Sequence, residues 1–105
     1  METKALTLLG FASKSGKLGF GFASCKDSLN RKKSRLIICA YDLSEKSKKE
    51  ALFYAGKNSI DVLTLKTTDI FTLSNAVGHK CGILSVNDDG FAKSIKEEIL
   101  NDQQI

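Results

Sequence analysis

The stretch "RLIICAYD", residues 35–42, constrains this chain more than any other. Its apolar positions follow one another without a gap, and charge bounds the run on both sides. A short uninterrupted run of this kind reads as a strand buried on both faces. Such a strand needs helices above and below it, so the remainder of the chain must supply two helical layers.

The sequence on either side supplies them. Ala5, Leu8, Leu9 and Ala12 recur at helical spacing, and Ser15-Gly16 ends that first helix. Residues 17–20 form a short extended piece. Phe22, Cys25 and Leu29 then give the apolar stripe of a second helix. After the apolar run, Ser44 is placed to cap a third helix, Glu45–Lys57, buried through Ala51, Leu52 and Ala55 and carrying a Glu45–Lys49 pair.

"DVLTLK" alternates as a strand. Thr67 or Thr68 caps a fourth helix with Ile70, Leu73 and Val77 inward, closed by Gly78. "GILSV" is a further strand, and Asp88-Asp89-Gly90 opens a last helix that buries Ala92, Ile95 and Ile99. The expected fold is α/β: a three-layer α/β/α sandwich around a mixed sheet of about four strands. With 105 residues, no proline and no low-complexity tract, one domain over residues 1–105 is expected.

Charge is uneven along the chain. Residues 1–50 carry 11 Lys and Arg against 5 Asp and Glu, whereas residues 51–105 carry 5 against 7. A basic half on a small domain suits a polyanionic partner, because neutralised phosphates release counterions. A merely solvated surface is the competing reading. No apolar run reaches the length of a membrane span, and Met1-Glu2-Thr3-Lys4 lacks a signal-peptide pattern. A cytoplasmic protein with no membrane partner is expected.

Catalysis finds little support. Cys25, Cys39 and Cys81 are far apart with no C-x-x-C, and two of them sit in apolar runs as small hydrophobes. His79 is the single histidine, and no carboxylate pair has a telling spacing. The expectation is no catalytic residue, no metal and no cofactor.

The stretch "GFGFASCKDSL", residues 19–29, offers three readings. Gly19-x-Gly21-x-x-Ser24 echoes a dinucleotide fingerprint, but the strand before it is short and the chain leaves no room for a substrate domain. Gly16-Lys17-Leu18 fails the Walker pattern. An anion site at the helix N-terminus, with Gly21 allowing close approach and Lys17 and Lys26 flanking it, stands beside a plain tight turn. Arg31, Lys32, Lys33 and Arg35 lie where cations complement a helix C-terminus, whereas Lys46, Lys48 and Lys49 open a helix whose dipole disfavours them.

Three segments carry a resemblance: "LLGFASKSGKLGFG", "RLIICAYDLSEKSKKE" and "LSNAVGHKCGILSVNDDGFAKSI". Together with the order and spacing between them, they resemble the ribosomal kink-turn-binding family, the L-seven-Ae group, and in particular its bacterial YlxQ-like branch. The likeness spans about residues 4–99, and Ser74 replaces a glycine of the family signature.

The resemblance implies a non-enzymatic protein that binds a structured RNA, a ribosomal RNA or another kink-turn-containing RNA, with ribosomal proteins as further candidate partners. It implies contacts from the second helix (Gly21, Phe22, Ala23, Ser24, Lys26, Asp27), from the turn after the buried strand (Asp42, Leu43, Ser44), and from the loop before the last strand (Gly78, His79, Lys80, Cys81). Typical members start the second helix Gly-x-Asn-Glu-x-x-Lys, and here Ala23, Ser24 and Asp27 stand at the three polar places. Contact is therefore expected to lean on backbone N–H groups, Lys17, Lys26, His79 and Lys80. A protein-interaction module that kept the fold and lost the RNA site is the alternative.

Overall fold

The computed structural model describes residues 2–103, so Met1, Gln104 and Ile105 of the expected 1–105 unit lie outside it. The elements run α1 (Thr3–Lys14), β1 (Leu18–Phe20), α2 (Gly21–Asn30), β2 (Leu36–Cys39), α3 (Glu45–Lys57), β3 (Val62–Thr64), α4 (Ile70–Val77), β4 (Ile83–Val86) and α5 (Asp89–Gln103). The four strands form one sheet in the order β1-β4-β2-β3. β4 runs antiparallel to both β1 and β2, and β3 is parallel to β2, so the sheet is mixed.

Alternation along the two central strands divides the core. Leu36 and Ile38 of β2, with Leu84 and Val86 of β4, pack against Leu9 of α1, Leu73 of α4 and Ile95 and Ile99 of α5. Ile37 and Cys39, with Ile83, pack on the other face against Cys25 and Leu29 of α2 and Ala51 and Ala55 of α3. Every residue of β2 and β4 is buried. The one polar residue among them, Ser85, shares hydroxyl hydrogen bonds of 2.7 Å with Ser34 and with Asn87, which offsets its removal from water.

Caps and exposure correct the sequence reading in places. Ser44 caps α3 as expected, accepting from the Ser47 N–H at 3.2 Å. Glu45, however, pairs with Lys48 at 3.6 Å rather than with Lys49. Leu52 is 57 % exposed, because Ala51 and Ala55 define the buried stripe and Leu52 lies about 100° around the helix from Ala51.

Neither Thr67 nor Thr68 caps α4; Asp69 does, accepting from the Thr72 N–H at 2.7 Å. The threonines are already engaged by the buried carboxylate of Glu2, which no local pattern of residues marks. Its Oε1 accepts from the Thr68 hydroxyl at 2.8 Å, the Thr67 hydroxyl at 3.0 Å and the Thr67 N–H at 3.1 Å. Its Oε2 accepts from the Lys66 N–H at 2.8 Å. The start of α1 is thereby tied to the β3–α4 connection.

Burial alone would raise the Glu2 pKa, but the hydrogen bonds from Lys66, Thr68 and Thr67 outweigh it and hold the value below the ordinary 4.5. A depressed folded-state pKa stabilises the protein above the unfolded value, and the contribution is lost as pH falls through the folded one. Glu2→Gln keeps the shape and removes the charge. It is expected to cost about 2 kcal/mol near neutral pH in a denaturant titration. The gap between the two proteins should shrink as pH drops below 4.5; a gap that does not change with pH would contradict this role.

Candidate nucleic-acid interface

Strand direction decides which connections share an end of the sheet. Phe20 at the end of β1 is level with Leu84, and Cys39 at the end of β2 is level with Ile83 at the start of β4. The β1–α2 junction, the β2–α3 turn and the α4–β4 loop therefore open at one end. Side chains tie them together. The rings of Phe20 and His79 stack with centroids 4.1 Å apart and planes 13° apart. The Ile70 N–H donates to Asp42 Oδ1 at 2.8 Å. Gly82 lets Leu43 approach, since a Cβ there would stand 3.0 Å from Leu43 Cδ1.

The α2 end of this surface presents backbone. Gly21, the first helical residue, has φ +85°, a conformation that glycine adopts without strain. Phe20 precedes it in extended conformation with no side-chain cap, and the first turn holds no acid. The leading N–H groups of a helix have no intrahelical partner and carry the positive end of its dipole. Ala23 is exposed and Ser24 half-buried beside them. Phe22 turns inward, edge-on to Tyr54 at 5.9 Å, and serves as an anchor.

The loop end is held in place by Ser74. Its hydroxyl donates to the Ile70 carbonyl at 2.6 Å and accepts from the Cys81 N–H at 3.0 Å. Gly78 closes α4 in the left-handed region at φ +76°, leaving His79 and Lys80 exposed between the two fixed points. With Asp42, Ile70, Phe71 and Asn75, this loop lines an open cleft of about 670 Å³.

Other expected contact residues are placed differently. Cys81 is 6 % exposed, so only its backbone reaches the loop. Lys26 holds its ammonium 4.6 Å from the centre of the Tyr54 ring, along the α2–α3 face. Asp27 is paired with Arg31 at 3.0 Å, which compensates the carboxylate within its own helix. Ser44 spends its hydroxyl on the α3 cap.

Lys17 does not flank Gly21. Its carbonyl accepts from the Asn87 N–H at 2.8 Å, at the far end of the sheet, about 13 Å from Gly21 at the rise of an extended chain. The basic run lies at that far end too. Arg35 pairs with Asp89 at 2.9 Å, and Lys32 Nζ donates to Asn58 Oδ1 at 2.7 Å.

Sequence reasoning missed Phe20, Ile70, Phe71 and Asn75. Phe71 was detectable as the apolar residue off the Ile70–Leu73–Val77 stripe; the Phe20–His79 stack required the strand register. The three thiols are free and buried. Burial pushes Cys25 up to about 12 and Cys39 up to about 11, and it raises Cys81.

Residues 3–96 match the Ribosomal protein L7Ae/L30e/S12e/Gadd45 family. This chain belongs to that family. It is 27 % identical over 99 residues to the RNA-binding protein YlxQ of Enterococcus faecium, covering 91 % of each chain. A solved structure of a Bacillus halodurans protein of unknown function superposes with a TM-score of 0.85 at 27 % identity, over 91 % of this chain and 96 % of that one. The Giardia lamblia 15.5kD RNA binding protein shares the fold, with a TM-score of 0.71 at 15 % identity, over 91 % of this chain and 82 % of that one. Among the described residues, no helix is long and apolar enough to cross a membrane.

The Ser74 hydroxyl supplies a loop anchor that a glycine at this position would lack. Ser74→Ala is expected to release the Cys81 N–H at a local cost of about 1 kcal/mol. The readout is faster amide exchange at Cys81 with α5 unaffected. An unchanged Cys81 rate would show that the loop is held by other contacts.

Proposed function

We propose that this protein binds a structured RNA, a kink-turn or similar internal loop, without catalysing a reaction on it. The surface is the sheet end formed by residues 21–24, 42–44 and 78–80. The observation that carries the reading is the convergence of three chain-distant segments on one edge, fixed by strand register and by the Phe20–His79 stack. Family membership and the printed activity of the Enterococcus faecium relative support it. A ribosomal RNA in the cytoplasm is the partner this family makes most natural.

Within this surface the uncapped start of α2 offers N–H donors to phosphate or base oxygens, as helix N-termini do. Lys80 supplies a mobile cation, and His79 presents an imidazole edge held by its stack on Phe20. The donor and acceptor side chains that typical members place on α2 are absent, so base discrimination is weaker and phosphate contact carries more of the affinity.

Filter binding of a kink-turn RNA tests this. Affinity is expected to fall about ten- to a hundredfold between about 50 and 200 mM salt. Lys80→Glu should weaken binding about tenfold, and Lys17→Glu, at the opposite end of the sheet, should leave it nearly unchanged. A flat salt response, or equal losses from both variants, would contradict the proposed surface. No RNA retention at any salt would favour the protein-interaction reading.

A further inference from the structure

We propose that the outward face of α3 is a second RNA contact, a strip that holds an unpaired segment running away from the primary surface. The inference rests on RNA being the ligand, but not on the kink-turn. Ala51 and Ala55 face the sheet, so the opposite side of α3 carries Lys46, Lys49, Phe53 and Lys57 in line at helical spacing. The line is about 16 Å long at 1.5 Å per residue. It begins beside Ser44, inside the proposed primary surface, so a strand leaving that surface meets it without a gap.

Three features of the strip lack an internal explanation. Lys46 and Lys49 stand in the first turns of α3, where the helix dipole opposes cations. Lys48 beside them is accounted for, donating to the Tyr41 carbonyl at 2.8 Å and pairing with Glu45. Lys46 and Lys49 have no such partner among the described residues and are exposed. Phe53 is 58 % exposed in the middle of the strip. It is also braced: Lys57 Nζ lies 4.5 Å from its ring centre, and the Tyr54 ring meets it edge-on at 5.3 Å.

Lysines on both sides of an exposed aromatic ring suit a single strand, whose bases stack on the ring face away from Lys57 while its phosphates meet the cations. An acidic protein surface would meet the same cations, and competition by polyglutamate separates it from RNA. Glu50 lies at the margin of the strip, and Glu45 is turned to Lys48.

Fluorescence anisotropy with a labelled oligouridine of about 12 nucleotides tests the strip on the full chain. Wild type is expected to bind it weakly, with affinity falling as salt rises. Lys46→Glu with Lys49→Glu should weaken binding about tenfold, and Phe53→Ala about fivefold. The thermal midpoint should hold in both variants, because acids suit a helix N-terminus and Phe53 is outside the core. A kink-turn RNA without single-stranded flanks should bind these variants like wild type, whereas Lys80→Glu should weaken kink-turn binding about tenfold and keep the oligouridine. Oligouridine binding that follows this pattern without any kink-turn binding would sink the kink-turn reading and leave the strip standing. The strip is overturned if wild type fails to bind oligouridine, if the variants bind as well as wild type, or if polyglutamate competes as well as RNA of equal charge.

Discussion

β2 and β4 are buried on both faces, and the rest of the molecule follows from covering them. Leu36, Ile38, Leu84 and Val86 demand one helical layer, and Ile37, Cys39 and Ile83 demand another. Because β4 is antiparallel to both of its neighbours, the exits of β1 and β2 and the entry to β4 fall at the same end of the sheet. The candidate surface is thus a product of sheet order. No single segment contains it, and the loops need no rigidity of their own beyond a few anchors: Asp42 on Ile70, Ser74 on Cys81, and His79 on Phe20.

Much of the fold was legible because its signals are local. The gapless "RLIICAYD" run, the stripes of α1, α2, α4 and α5, the Ser44 cap and the closing Gly78 each follow from a few adjacent residues. Two of the errors share one cause, which is contact between residues far apart in sequence. Thr67 and Thr68 look like caps until Glu2, more than sixty residues away, takes their hydroxyls. Lys17 looks adjacent to Gly21 in sequence, yet a strand carries it to the opposite end of the sheet. Leu52 failed for a different reason: its apolar side chain suggested burial that its angle on α3 does not permit.

Asp27 puts a carboxylate on α2 beside the proposed surface. Its pairing with Arg31 offsets part of that charge, but both groups are largely exposed and the pair is weak in water. What remains at the α2 end is backbone, glycine and small side chains, which recognise shape and phosphate better than base identity. Basic residues elsewhere divide into two kinds. Lys32, Arg35 and Lys48 have partners within the fold, whereas Lys80, Lys46 and Lys49 face outward.

On the proposed surface, residues from three separate segments meet one RNA at one end of the sheet. Amide chemical-shift mapping with a kink-turn RNA measures it directly. The largest changes are expected at Gly21, Phe22 and Ala23, at Asp42 and Leu43, and at Gly78, His79 and Lys80, saturating together at one stoichiometry, with Lys17, Arg35 and Asn87 nearly still. Changes centred on the Lys17 end of the sheet, or confined to only one of the three segments, would contradict it.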